Sequence, residues 1–200
     1  MPPKIILASS SPRRKELLEK LGLRFEVIPS LIDEILHRNE SPEDFALRTS
    51  TEKALSVSRN LVGDSVVIGA DTIVVKDGEI LGKPKDEQEA ITMLRKIAGK
   101  EHRVITGFSI VKPKAEILYR KFVESRVRIK TLAPWEIEGY IKTGEPMDKA
   151  GAYGAQGIGA FMIEEVRGSY TNVVGLPLTQ VIDALTRLGV LNLFEEYGHF

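Results

Sequence analysis

The chain contains no cysteine, which excludes disulfides, thiolate metal sites and a cysteine nucleophile. Histidine is nearly as scarce. His37, His102 and His199 are far apart and show no ligand spacing, so each reads as a surface or strand-end residue. No apolar run approaches the about 18 residues expected of a membrane span. The start, M-P-P-K-I-I-L-A, lacks the charged and then long apolar stretch of a signal peptide. The expected protein is therefore cytoplasmic, with no membrane partner. Neither charge sign is in excess: Lys+Arg and Asp+Glu each total 28, for a formal net charge of zero. Sequence-independent nucleic-acid binding needs a surplus of positive charge, so nucleic acid is excluded as a partner. There is no glycine-rich phosphate loop, dinucleotide fingerprint, zinc signature or Ser-His-Asp triad.

What is present is ordinary for a globular chain: 200 residues, 42% hydrophobic and 28% charged. That length suits one domain over 1–200, built as two lobes that share a sheet and have no separable linker. Short apolar strands at Lys4–Ala8 and Phe25–Pro29 alternate with helices, giving an α/β pattern. The first helix has Ser11 as N-cap and Pro12 at its first position, carries Leu17, Leu18 and Leu21, and ends at Gly22. The second starts at Ser41-Pro42-Glu43-Asp44 and runs to about Asn60. Val66–Val75, V-V-I-G-A-D-T-I-V-V, is a buried strand, and Lys76-Asp77-Gly78-Glu79 turns it into a hairpin. The hairpin is expected to bring Lys83 back towards the sheet near Asp71. A helix follows at Glu87–Ala98, then strands at His102–Val111 and Ile117–Leu132. A helix from Pro134 to about Thr143 has Trp135 as core or lobe-contact material. The small-residue loop 145–159, a strand at Phe161–Val166, a turn at Gly168-Ser169-Tyr170 and a helix at Leu178–Leu188 complete the pattern. The apolar tail Leu191–Phe200 is expected to dock on the domain.

Asp71 organises this pattern, because a carboxylate inside a sheet costs several kcal/mol by rough estimate unless it is paired, protonated or facing a cleft. Gly69 and Ala70 read as clearance for something bulky at the backbone, a nucleotide if Asp71 belongs to a site. Arg13 and Arg14 sit in the first turn of a helix, where the dipole disfavours cations unless an anion joins them. Serine hydroxyls and free N–H groups there would add to such a site. Lys53 on the second helix reads, by periodicity alone, as an exposed lysine. Lys83 lies in a loop restricted by Gly82 and Pro84. If Arg13, Arg14, Lys53 and Lys83 converge with Glu34 and Asp71, they form a site for a polyphosphate and Mg²⁺ or Mn²⁺. Asp71 would then be the general base for a water attacking phosphorus. A nucleotidyltransferase and a nucleotide-binding regulator without turnover are the alternative readings.

Five segments in order, L-A-S-S-S-P-R-R, E-K-A, G-A-D-T-I-V, L-G-K-P-K-D and M-D-K-A-G-A-Y-G-A-Q-G, resemble the Maf family of septum-formation-associated nucleoside triphosphate pyrophosphatases. The resemblance runs from Ile5 to about Leu178. It implies an elongated mixed β-sheet flanked by helices, with two lobes around a cleft, like the inosine triphosphate pyrophosphatases. It also implies hydrolysis of a nucleoside triphosphate to the monophosphate and pyrophosphate with a divalent metal. By motif, Asp71 matches the catalytic acid, Ser9, Arg13, Arg14, Lys53 and Lys83 the polar pocket, and Glu34 (or the adjacent Asp33) the second acid and metal ligand. The last segment resembles the branch acting on dTTP and UTP, in which Arg13, Thr72 and Gln156 would set substrate choice. An amide such as that of Gln156 offers a donor and an acceptor, as thymine and uracil do. Oligomeric state stays open, a homodimer included.

Overall fold

Ile5, Ile6, Leu7 and Ala8 are all apolar, as suits a strand covered on both faces. In a computed structural model that describes residues 3–194, they form β1 (Lys4–Ala8), buried from Ile5 onward. It pairs in parallel with both β2 (Phe25–Val27) and β3 (Ser65–Lys76). Parallel neighbours require crossovers; α1 (Pro12–Glu19) supplies the first and α2 (Pro42–Ser58) lies between β2 and β3. The remaining order is β4 (Glu79–Leu81), α3 (Glu87–Ile97), β5 (Glu101–Lys112), β6 (Glu116–Ile129), α4 (Pro134–Lys142), β7 (Ile163–Arg167), α5 (Tyr170–Val174) and α6 (Leu178–Arg187). The strands make one mixed sheet, β2-β1-β3-β5-β6-β7, with β4 paired to β3. With its flanking helices, this is the α/β class that the sequence implied.

The chain divides into two compact units. The first takes the chain up to Asp71, Thr106–Val123 and the part from Gly175 on; the second takes Thr72–Ile105 and Glu124–Val174. Three of the four crossing points fall inside β3, β5 and β6. In the first unit, Ile6, Ala8, Val67 and Val111 of the strands pack with Ala54 and Val57 of α2. Glycines decide how closely α2 approaches. A Cβ at Gly69 would lie 2.1 Å from the Ser50 carbonyl oxygen, and one at Gly107 would lie 2.2 Å from that of Ala46. The clearance expected at Gly69 therefore serves helix α2, not a ligand. That corrects the reading from sequence.

In the second unit, α3 buries Ala90, Met93, Leu94 and Ile97, one stripe at helical spacing. Asp86 caps it by accepting the Glu89 N–H at 2.8 Å. The stripe packs with Val74 and Leu81 of the β3–β4 hairpin and with Ile137, Tyr140 and Ile141 of α4. Asp77 and Gly78 both have positive φ, 52° and 81°, as a two-residue type I′ turn demands.

Several expectations need correction. Trp135 is 72% exposed, because α4 turns Ile137, Tyr140 and Ile141 inward and Trp135 lies on the other face. His102 does lie at a strand end, second in β5, but not at the surface: it is 3% exposed, with Nε2 2.7 Å from the Tyr153 hydroxyl. Burial, then Lys76, pushes its pKa down to about 4. Ile158–Met162 is a 3₁₀ turn, so β7 starts only at Ile163, and the predicted turn at Tyr170 opens a short helix. In the tail expected to dock, Leu191 is buried but Phe194 is 72% exposed; the residues from 195 on, His199 among them, lie outside the described residues. No helix among the described residues is long and apolar enough to cross a membrane.

Candidate active site

Asp71 stands two residues beyond Gly69 on β3, so both project from the same face of the strand. That is the face α2 covers, with Ser50 and Ala54 against Gly69. Lys53, next to Ala54, is therefore delivered to the carboxylate. Its Nζ donates to Asp71 Oδ1 at 2.7 Å and pairs with Glu34 Oε1 at 2.6 Å. Lys53 is 8% exposed and Asp71 3% exposed. The reading of Lys53 as an exposed lysine does not hold, because helical periodicity gives no account of a long side chain drawn inward by a buried acid. Of the two neighbouring acids, Glu34 is the one that reaches Lys53. Asp71 Oδ2 is buried and has no hydrogen-bond partner. An oxygen left in that state inside a protein is costly unless something binds it.

The loop after β1 adds cations to the same unit. Arg14 is buried, with its Nε donating to the Gly175 carbonyl at 2.8 Å and its Nη1 to Ser9 Oγ at 3.1 Å. Burial pulls the Arg14 pKa down, while Asp71 and Glu34 oppose that pull. Ser9 Oγ also accepts the Ser11 N–H at 3.2 Å. Ser11 is the N-cap of α1 by backbone, but its side chain makes no cap bond, and the first turn carries no acid. Arg13 is half-buried in that turn. Structure thus brings Ser9, Arg14, Lys53, Glu34 and Asp71 together in the first unit.

One residue that the sequence reading passed over holds Glu34's segment in place. Arg48 of α2 donates to Glu40 through Nε at 2.6 Å and Nη2 at 2.8 Å, and to the Ile35 carbonyl at 2.8 Å. Its bond holds the Glu40 carboxyl down at about 2 against the opposing effect of burial. The chain following Glu34 is thereby tied to the helix that carries Lys53. An arginine eight residues after a glutamate gives no sequence signal of this, since the intervening segment is irregular.

The other predicted residues belong to the second unit: Thr72 half-buried, Lys83 exposed and Gln156 half-buried. The β3–β4 ladder pairs Val74 with Leu81 and ends there, so Lys83 lies in the loop two residues past the last paired residue. Gly151 fastens the small-residue loop to this corner. Its N–H donates to the Gly82 carbonyl at 3.0 Å, and a Cβ on it would lie 2.9 Å from Val74 Cγ1.

Comparison with known proteins identifies the class. Residues 4–188 match the family model described as Maf-like protein, and the chain belongs to that family. A dTTP/UTP pyrophosphatase of Clostridioides difficile (strain 630) is 50% identical over 194 residues, 97% of this chain and 98% of that protein. The enzyme of the same name from Geotalea uraniireducens (strain Rf4) is 50% identical over 187 residues, 94% of this chain and 96% of its own. Among solved structures, a HAM1 protein from Coxiella burnetii matches with a TM-score of 0.46 at 12% identity, covering 93% of this chain and 96% of that one. A nucleoside-triphosphatase (dITP/XTP pyrophosphatase) from Mycobacterium abscessus matches with a TM-score of 0.41 at 16% identity, covering 93% and 95%.

Proposed function

We propose that the protein hydrolyses dTTP and UTP to the nucleoside monophosphate and pyrophosphate. The name shared by relatives at half identity supports the substrate. One observation carries the chemistry: Asp71 is fixed through Oδ1 by Lys53, and its buried Oδ2 is left without a partner. In this reading Oδ2 takes a proton from water as the water oxygen bonds to the α-phosphorus. The bond from that phosphorus to the bridging oxygen breaks, and pyrophosphate leaves with the electron pair. Ser9, Arg13 and Arg14 at the start of α1 bind phosphate oxygens, aided by N–H groups of the helix N-terminus. Thr72, Lys83 and Gln156 contribute further contacts to the nucleotide, Gln156 through paired amide bonds to the pyrimidine base.

The residues present fit a divalent cation. Lys53 is shared by two carboxylates, Glu34 and Asp71, so two hard oxygen donors stand about one point, the kind of donor set a divalent ion takes. Mg²⁺ characteristically takes one or two carboxylates and completes its shell with water and substrate phosphates. Two acids are what this cluster offers: among the described residues no group of three or more His, Cys, Asp or Glu could hold a metal. Glu34 and Asp71 would hold the ion, Mg²⁺ or Mn²⁺, which when bound withdraws charge from the phosphate oxygens. Location in the cytoplasm accords with a nucleotide substrate.

The test is pyrophosphate release from dTTP, UTP and purine triphosphates with each metal, wild type beside Asp71→Asn. A general base contributes ~10²–10⁴-fold, so Asp71→Asn should lose at least ~100-fold in kcat. Equal rates in both proteins would sink the assignment of Asp71.

A further inference from the structure

Gln156 lies in the run Gly154-Ala155-Gln156-Gly157-Ile158-Gly159, which belongs to no helix or strand until the 3₁₀ turn at Ile158. A segment of this composition would ordinarily hold a side chain loosely. Here two side chains grip its backbone on either side of Gln156. On the near side, the Gly154 N–H donates to the Tyr140 hydroxyl at 3.1 Å. On the far side, Ile158 N–H donates to Glu145 Oε2 at 2.9 Å and Gly159 N–H to Glu145 Oε1 at 3.0 Å. The grips are joined, because the Tyr140 hydroxyl itself donates to Glu145 Oε1 at 2.9 Å. Lys149 Nζ in turn donates to the Glu145 carbonyl at 2.7 Å.

Two glycines of the loop, Gly157 and Gly159, are explained by this grip. A Cβ at Gly159 would lie 2.5 Å from the Tyr140 hydroxyl, and one at Gly157 would lie 2.7 Å from Glu145 Oε2. Each glycine is therefore set against the tyrosine–glutamate pair, and no side chain intervenes. The Glu145 carboxyl is pushed up by burial, but the bonds from Gly159, Ile158 and Tyr140, with the Lys149 charge, outweigh that and hold its pKa down. It stays ionised at neutral pH, and bonds to an ionised acceptor are about twice as strong as neutral ones. Tyr140 is anchored in turn, buried on α4 with Ile137 and Ile141.

We propose that Glu145 and Tyr140 are positioning residues for base selection: together they clamp the loop that presents Gln156, so that its amide meets the pyrimidine edge in one orientation. The inference rests on the reading that Gln156 contacts the base. Glu145 accepts three bonds, and an amide in its place turns an N–H towards at least one donor. The test measures kcat/KM for dTTP, UTP, dATP and dGTP in wild type, Glu145→Gln, Tyr140→Phe, Gln156→Ala and the Glu145→Gln/Gln156→Ala double variant. Melting temperature and amide exchange at Ile158 and Gly159 are followed in the same proteins.

Glu145→Gln should cut the preference for dTTP and UTP over the purines by ~10-fold, the size of a lost bond to a charged group. Tyr140→Phe should move the ratio the same way, and exchange at Ile158 and Gly159 should quicken in Glu145→Gln. In the Gln156→Ala background, Glu145→Gln should change the ratio no further, since the two act through one contact. A uniform loss on all four nucleotides, a lower melting temperature without a change of ratio, or additive effects would each overturn the clamp. The two levels fail differently. A ratio shifted by Gln156→Ala but not by Glu145→Gln sinks the clamp alone. A ratio unmoved by Gln156→Ala sinks base selection by Gln156 and the clamp with it.

Discussion

Gly69→Ala adds one methyl group, and it strikes the contact on which the cluster proposed as catalytic depends. The new Cβ would lie 2.1 Å from the Ser50 carbonyl oxygen, 2.8 Å from Ala54 N and 2.9 Å from Ala54 Cβ. Ordinary carbon contacts settle at ~3.5–4.0 Å, so α2 or β3 must move apart by about 1 Å or more. Two of the obstructing atoms are backbone and cannot rotate away. The cost belongs at the upper end for overpacking, about 3 kcal/mol. In a chain of this length each kcal/mol moves the melting temperature by ~2–4 °C, so a drop of ~6–12 °C is expected. Activity should fall by more than stability explains, because Lys53 is the neighbour of Ala54 and its 2.7 Å bond holds Asp71. Displacing a catalytic group by about 1 Å costs ~100-fold. The assays are thermal unfolding and pyrophosphate release from dTTP at a temperature where the variant remains folded. A methyl control is available at Gly139 in α4, where an added Cβ would meet nothing within 4 Å. Gly139→Ala should raise stability by up to ~1 kcal/mol. A Gly69→Ala protein that melts with the wild type and retains its kcat would refute the packing argument.

Other outcomes follow from single contacts. Lys53→Met strands a buried carboxylate and should cost ~3–5 kcal/mol by denaturant unfolding, most of it regained in Lys53→Met/Asp71→Asn; an undiminished loss in the double variant would show that the pair is not coupled. His102 is held neutral, with its pKa lowered to about 4 by burial first and Lys76 second. The unfolded chain, titrating near 6.5, binds a proton that the folded chain refuses, so stability falls as pH drops from about 6.5 to about 4. The decline is at most roughly 3 kcal/mol, read from urea midpoints across that range, and a His102→Gln protein should lose that part of the slope. Arg48→Met frees the Glu40 segment, and should lower kcat by loosening Glu34 while leaving a folded protein by circular dichroism. An unchanged dependence of rate on Mg²⁺ concentration in that variant would count against Glu34 as a ligand.

Much of the frame was open to reading because its signals are local. The proline-started helices, the Asp77-Gly78 turn and the α3 stripe each depend on residues a few positions apart, and each forms where local chemistry puts it. The misreadings share a different origin. His102 and Trp135 were judged by residue type, yet their burial depends on which face of β5 or α4 meets the rest of the unit. Convergence of the site residues was not read from spacing: the family resemblance supplied the set, and tertiary packing joins Lys53 to Asp71 and Glu34.

Gly69 shows where a stronger reading was available. A glycine inside a strand announces that something approaches the backbone, but not what does so. The partner was also in the sequence. Ser50 and Ala54 are small residues four apart on α2, and such a pair makes a flat strip along one helix face. A flat strip on a helix and a bare position on a strand fit each other, whereas a ligand would require neither. Pairing them sets α2 on β3 at Gly69, which places Lys53, one residue before Ala54, beside the acid two residues beyond Gly69. From that step, the buried lysine–carboxylate contact follows without appeal to any relative. Its counterpart in the structure is the 2.7 Å bond between Lys53 Nζ and Asp71 Oδ1.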